Sequence, residues 1–108
     1  LKTHEGTWKP KISDIIYAEA KGKHTVIRTT EGEFEIHIHL KKLEEMLPDE
    51  KFIRCQRAYI AGFEHIKNHT SEEIIFDKGE KALIGKAYIT AFKTAFKHYI
   101  MRHNERNL

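Results

Sequence analysis

The sequence has one cysteine, Cys55, and only two prolines in 108 residues. A lone cysteine cannot close a disulfide within the chain, which excludes a secreted disulfide scaffold and favours a reducing compartment such as the cytoplasm. No apolar run approaches the roughly 18 residues that a membrane-spanning helix needs, so we expect no membrane association in this segment. The six glycines are too few for a collagen-like or low-complexity chain.

The chain also lacks the short motifs that mark common catalytic and nucleotide-binding sites. Its glycines are isolated, so no GxxxxGK[ST] or GxGxxG phosphate loop occurs, and neither a nucleophile elbow nor an HExxH zinc motif is present. Cys55 could act as a nucleophile with Arg54 lowering its pKa, but a thiol inside a strand pattern is typically a packing residue. We expect no catalytic residue, no cofactor and no enzymatic activity.

Two histidines leave a metal hypothesis open. His37 and His39 are two apart in an alternating segment, which places both imidazoles on one strand face at a spacing that can chelate zinc or copper. Glu35 is the obvious third ligand on that face. Two solvent-facing histidines opposite an apolar face give the same pattern, and we expect no metal.

Basic residues concentrate towards the C-terminal end. Residues 1–80 carry 13 Lys and Arg against 15 Asp and Glu, whereas residues 81–108 carry 6 against one. A basic end on a near-neutral body is typical of a protein that binds a polyanion by counterion release. A solvated basic helix would give the same count.

Hydrophobic patterning predicts a mainly β or α+β domain built from small antiparallel sheets. The clearest alternation is EFEIHIH, with Phe34, Ile36 and Ile38 on one face. We expect a single domain over residues 1–108, with residues 1–10 a leading segment and residues 97–108 a helical or frayed tail. Seven short strand-forming segments are predicted, over residues 14–19, 25–30, 33–39, 52–62, 65–68, 73–77 and 81–84.

Two helices complete this layout. Leu40, Leu43 and Leu47 form an apolar stripe on a short interior helix, which Pro48 ends because it disfavours helical geometry at the preceding residue. A C-terminal helix is predicted to begin near Lys86 or Ala87. Its apolar side carries Tyr88, Phe92, Ala95, Phe96 and Tyr99, and its other side carries Lys93 and Lys97.

The order of these segments resembles the LytTR family of bacterial DNA-binding domains. Residues 47–66, LPDEKFIRCQRAYIAGFEHI, are similar to the family's Leu-Pro followed by Phe-x-Arg-x-His-Arg-Ser-Tyr-x-Val-Asn. DIIYAEAKGKHTVIRTTEG resembles its opening strand, loop and strand, HLKKLEEMLP its helix, and KALIGKAYITAF its closing segment. The resemblance covers about Lys11 to Phe96, with every element in order.

The resemblance implies a mainly β fold whose inter-strand loops enter successive major grooves of double-stranded DNA. It implies base contacts by His24, Arg57 and Lys86. Phosphate contacts are expected from the remaining cations near loops and on the last helix, namely Lys21, Lys23, Arg54, Lys93 and Lys97. It further implies a response-regulator output domain in transcription regulation, a two-component system with a receiver or sensor domain outside this chain, and a homodimer on tandem half-sites.

The chain departs from the family pattern at five positions, Gln56 for His, Ala58 for Ser, Gly62 for Asn, Gly85 for Ser and Lys86 for Arg. The changes at 58, 62 and 85 remove polar side chains that contact DNA or fix loops. Lysine at 86 lacks the planar two-donor fork that reads guanine best. An alternative function is a protein-interaction or dimerisation module on the same scaffold with weakened base readout, using the aromatic stripe of the last helix as its contact surface.

Overall fold

The structure is a computed structural model that describes residues 1–3 and 6–107. Antiparallel strands dominate it, as the predicted fold class requires. A two-stranded sheet joins β1 (Lys2–Thr3) to β2 (Gly6–Thr7). The main sheet has five strands in the order β5-β4-β3-β7-β6, formed by β3 (Ile15–Lys21), β4 (His24–Thr29), β5 (Gly32–Ile36), β6 (Phe52–Gln56) and β7 (Tyr59–Gly62).

A smaller sheet and two helices pack against the main sheet. The smaller sheet has the order β10-β9-β8, formed by β8 (Ile66–His69), β9 (Glu73–Phe76) and β10 (Lys81–Leu83). Helix α1 (Leu40–Met46) lies between β5 and β6 in the chain, and helix α2 (Ile89–Asn107) follows β10. Short 3-10 turns cover Ile12–Asp14, Phe63–His65 and Lys86–Tyr88.

The strand prediction differs from the structure at two points that matter for the site. Residues 52–62 form a hairpin of two strands, because the chain reverses at Arg57 and Ala58 without a Gly, Pro or Asn to signal a turn. Strand β5 ends at Ile36 instead of His39. There the Thr25 hydroxyl donates to the Ile38 carbonyl at 2.8 Å, which takes the chain out of the ladder towards α1.

The main sheet has a hydrophobic core on each face. Neighbouring residues alternate between them, so Ile60 joins one core and Ala61 the other. The first core is mainly aliphatic and packs α1 through Leu40, Leu43 and Leu47. The second core lies under the smaller sheet and α2, and its large members are aromatic, including Phe63, Phe76 and Phe92.

Gly62 marks a close approach between strands of the main sheet. A Cβ built at this position would lie 2.8 Å from the Ile15 carbonyl oxygen and 3.0 Å from the Phe52 ring. No side chain fits without moving backbone, since real Cβ atoms essentially never come so close. Packing at the start of β3 therefore explains why this chain has glycine where the family pattern has asparagine.

Neither α-helix in the described part of the chain has the length and apolar composition that a membrane crossing requires.

Candidate nucleic-acid interface

Four loops meet at one end of the main sheet, which we call the turn edge. It comprises residues 21–24 between β3 and β4, residues 37–39 after β5, residues 57–58 between β6 and β7, and residues 85–86 before α2. The last two are joined to the sheet by hydrogen bonds. The Ala20 amide donates to the Ala58 carbonyl at 2.8 Å, and the Gly85 amide donates to the Cys55 carbonyl at 2.9 Å.

The β3–β4 half of the turn edge, residues 21–24 and 37–39, holds two of its basic side chains, Lys21 and His24, against carboxylates. Lys21 Nζ lies 3.4 Å from Glu19, and His24 Nδ1 lies 2.6 Å from Glu35 Oε1. The His24 ring also makes an edge-to-face contact with His37, at 4.4 Å between ring centroids. Strand register explains this cluster, because Val26 pairs with Glu35 and places His24 diagonal to that carboxylate.

Gly22 allows this turn to be tight. Its φ of +61° lies in the left-handed region, which glycine adopts at no steric cost. Lys23 follows it, exposed, with a side chain that makes no hydrogen bond or ion pair to any described residue. The turn therefore presents one free ammonium beside an imidazole whose orientation is fixed.

The β6–β7 half of the turn edge, residues 57–58 and 85–86, presents cations without partners. Arg57 and Lys86 are both exposed, and within the described residues neither side chain makes a hydrogen bond or ion pair. The two are neighbours because Gly85, which precedes Lys86, is bonded to the end of β6 just before Arg57. The structure thus brings His24, Arg57 and Lys86 to one edge, with Lys21 and Lys23.

Arg54 lies elsewhere, in the middle of edge strand β6. Its guanidinium Nη1 is 3.6 Å from Glu44 of α1, and its side chain is only 23% exposed. Its Nε is buried and has no hydrogen-bond partner among the described residues. Arg54 therefore serves the contact between β6 and α1, and contact with phosphate would require its pairing with Glu44 to open.

Lys93 and Lys97 lie along α2, away from the turn edge. The helix begins beside that edge and runs towards the start of β6, where Arg102 donates to the Glu50 carbonyl at 3.1 Å. Both lysines are exposed and, within the described chain, unpaired. Since a helix rises about 1.5 Å per residue, Lys97 lies about 6 Å farther from the turn edge than Lys93.

The aromatic stripe of α2 faces inward. Phe96 and Tyr99 pack on Phe63, with ring centroids 5.7 and 5.2 Å apart, and Phe92 packs on His69 at 5.0 Å. The alternative function would use this stripe as a contact surface, but the stripe is part of the second core.

Cys55 lies in that core beneath the β6–β7 half. Burial raises the pKa of its thiol to about 12, which keeps it protonated and unreactive at neutral pH. Packing is therefore the role that the structure gives this residue. No group of three or more His, Cys, Asp and Glu side chains that could hold a metal occurs in the described part of the chain.

Tyr59 connects the two halves of the turn edge. Its hydroxyl donates to Glu19 Oε2 at 2.9 Å, and the same carboxylate oxygen pairs with Lys21. Burial, then the hydrogen bond to Glu19, raises the pKa of Tyr59 to about 12. Sequence reasoning missed this connection, as it missed the pairing of Glu35 with His24, since both depend on strand register.

These features define a class of protein. A small antiparallel domain that presents loop-borne cations at one end of a stiff sheet is suited to binding a polyanion. The family model described as LytTr DNA-binding domain matches residues 5–97. The chain belongs to this family of DNA-binding domains.

Solved and curated relatives agree with this assignment. The fold is similar to the LytTr DNA-binding domain of a Bacillus cereus protein described as a methyl-accepting/DNA response regulator, with a TM-score of 0.77, 31% identity, and coverage of 88% of this chain and 92% of that one. The sensory transduction protein LytT of Bacillus subtilis is 28% identical over 74% of this chain and 35% of its own length. The transcriptional regulatory protein NatR of the same organism is 30% identical over 77% and 38%. The chain thus spans about a third of the length of these curated relatives.

Proposed function

We propose that the chain recognises specific sequences in double-stranded DNA as the output domain of a cytoplasmic transcriptional regulator, with the turn edge entering the major groove. The observation that carries this proposal is the convergence of His24, Arg57 and Lys86 on one edge of the main sheet. The relatives LytT and NatR, named for sensory transduction and transcriptional regulation, support the regulatory context.

We infer different tasks for the three side chains. Arg57 is free and carries the planar fork that matches O6 and N7 of guanine. Lys86 supplies a second charge beside it. His24 donates from Nδ1 to Glu35, which leaves Nε2 as the ring atom that faces a base edge.

Phosphate contacts would flank these base contacts. Lys21 and Lys23 lie on the β3–β4 side, and Lys93 lies on α2 beyond Lys86. Entry of the inter-strand loops into successive major grooves is what the family resemblance implies, and a second copy on a tandem half-site would extend the contact.

Selection of bound duplexes from a random pool tests the proposal, with the Arg57→Ala variant carried in parallel. We expect a defined motif for the wild-type domain and a motif relaxed at one or two base pairs for the variant. Binding that shows neither sequence preference nor salt dependence would overturn the proposal.

Sedimentation with and without the selected duplex tests the homodimer and the alternative function together. We expect the domain to pair on DNA that carries two half-sites. A stable dimer that is indifferent to DNA would instead support the protein-interaction module. In a longer chain, the receiver or sensor domain that we propose upstream would control this pairing.

A further inference from the structure

Two hydrogen bonds tie the end of β6 to the segment that carries Lys86. The Gln56 side chain donates from Nε2 to the Leu83 carbonyl at 2.9 Å, and the Gly85 amide donates to the Cys55 carbonyl at 2.9 Å. Each of the two stretches of chain donates one of these bonds and accepts the other. Residues 83–85 are therefore held in register against the residues that lead into Arg57.

Gly85 makes this approach sterically feasible. A Cβ at position 85 would lie 3.2 Å from Gln56 Cβ and 3.1 Å from the Tyr88 ring, both tighter than ordinary contact. The φ of Gly85 is −71°, which any residue adopts, so a side chain here is limited by space and not by backbone freedom. A Cβ at this position would require Gln56 or Tyr88 to move by a few tenths of an ångström.

The contacts act on the two unpaired cations of the β6–β7 half. Gln56 immediately precedes Arg57, and Gly85 immediately precedes Lys86. The side chains of Arg57 and Lys86 have no partners within the described residues to hold them, so their separation depends on the backbone beneath them. The contacts between residues 55–56 and 83–85 join these two backbones directly, whereas the bonds from the Ala20 amide to Ala58 and from the Ile84 amide to Glu72 anchor each of them to another strand or turn.

We propose that Gln56 and Gly85 form a clasp that sets the separation of Arg57 and Lys86, which makes Gln56 a positioning residue for base recognition. This inference rests on the proposed function. Gln56 itself need not touch DNA, because its carboxamide is already engaged with Leu83. The clasp would convert two flexible cations into a pair that reads base pairs at a fixed spacing.

The test compares Gln56→Met, which keeps size and neutrality but lacks the donor, with Gly85→Ala, which places a Cβ 3.2 Å from Gln56 Cβ. Asn68→Ala is the matched control, since Asn68 is an exposed amide on β8 whose side chain makes no hydrogen bond to any described residue. Each protein is titrated with the selected duplex and with its single-base variants. Arg57→Ala and His24→Ala identify which base pairs each half reads.

We expect both clasp variants to lose about two- to tenfold of discrimination at base pairs read by the β6–β7 half, as for one lost hydrogen bond. Discrimination at base pairs read by His24, and the slope of affinity against salt, should stay at the wild-type values. The double variant should lose no more than the larger single loss, because both changes act on one separation.

Amide hydrogen exchange without DNA gives a readout that does not depend on the proposed function. We expect the Gly85 amide to exchange faster in Gln56→Met and to be unchanged in Asn68→Ala. Faster exchange with wild-type discrimination would overturn the positioning role, and unchanged exchange would overturn the clasp. A wild-type domain that discriminates no sequences would overturn the proposed function and its recognition role, while exchange would still report on the clasp.

Discussion

The two halves of the turn edge present positive charge in different ways. In the β3–β4 half, Lys21 and His24 are each held by a carboxylate. In the β6–β7 half, Arg57 and Lys86 have no partner among the described residues. A paired cation keeps a fixed orientation but offers less net charge, whereas a free cation offers its full charge and needs its backbone fixed. Under the proposed function, the turn edge would combine one oriented side chain, His24, with free cations that bind DNA on contact.

The largest expected effect comes from substitution in the β6–β7 half. Arg57→Ala should lower discrimination between the selected duplex and its single-base variants by about 1–3 kcal/mol, because a two-donor contact to guanine is lost. Competition binding measures the ratio. Arg57→Lys is the control, since it keeps the charge and removes only the fork. An Arg57→Lys variant with wild-type discrimination would mean that Arg57 contacts phosphate instead of a base.

Substitution of Tyr59 removes its side-chain connection between the two halves of the turn edge. Tyr59→Phe removes the hydrogen bond to Glu19 and should lower the free energy of unfolding by about 1 kcal/mol at neutral pH. Denaturant unfolding measures this loss. No change in stability would show that Glu19 and Lys21 hold their positions without Tyr59.

The same variant tests a pH dependence. Burial raises the pKa of Tyr59 to about 12 from its usual 10, so the unfolded chain releases this proton first as pH rises. The contribution of Tyr59 to stability should be complete below pH 10 and decrease progressively between pH 10 and about 12. Wild type and Tyr59→Phe should therefore converge across that range in unfolding experiments.

Substitution of Glu35 removes the partner of His24 in the β3–β4 half. Glu35→Gln removes the carboxylate that orients His24 and should reduce discrimination at the base pair read by His24 by about fivefold. Affinity for random duplexes should rise slightly, since one negative charge leaves the turn edge. Glu33→Gln is the control, because Glu33 pairs with Arg28 away from this edge. Loss of random-duplex affinity in Glu35→Gln would contradict this account.

The smallest effect is expected on α2. Lys93→Ala should weaken binding to all duplexes and flatten the slope of log affinity against log salt by about one unit, with base preference unchanged. Lys97→Ala should have a smaller effect, because Lys97 lies farther from the turn edge. Lys78→Ala is the charge-matched control, since Lys78 lies in the turn between β9 and β10 of the smaller sheet, where Glu80 pairs with Arg28. Equal effects of Lys78→Ala and Lys93→Ala would indicate binding by net charge alone.

The pattern of apolar residues predicted most of the architecture. Alternation in β5 and the stripe Leu40, Leu43 and Leu47 follow from local geometry, so the strand, the helix and their buried faces could be read from the sequence. The hairpin reversal at Arg57 could not, since its turn contains none of the residues that usually signal one. The order of these elements carried the family resemblance, which composition alone did not.

The candidate site was only partly predictable. The resemblance named His24, Arg57 and Lys86, and the structure brings them to one edge. Partners across strands were missed, because the pairing of His24 with Glu35 depends on register between β4 and β5. Gln56 and Gly85 are read from the sequence only as two departures from the family pattern, whereas in the fold they face each other.

The leading segment has an experimental consequence of its own. Trp8 stacks on Phe34, with ring centroids 4.4 Å apart, and it packs against the first core. As the only tryptophan in the chain, it gives a fluorescence signal that reports on this packing. A change in its emission during DNA titration would show that binding alters the packing of the leading segment, whereas constant emission would show that this packing is unaffected.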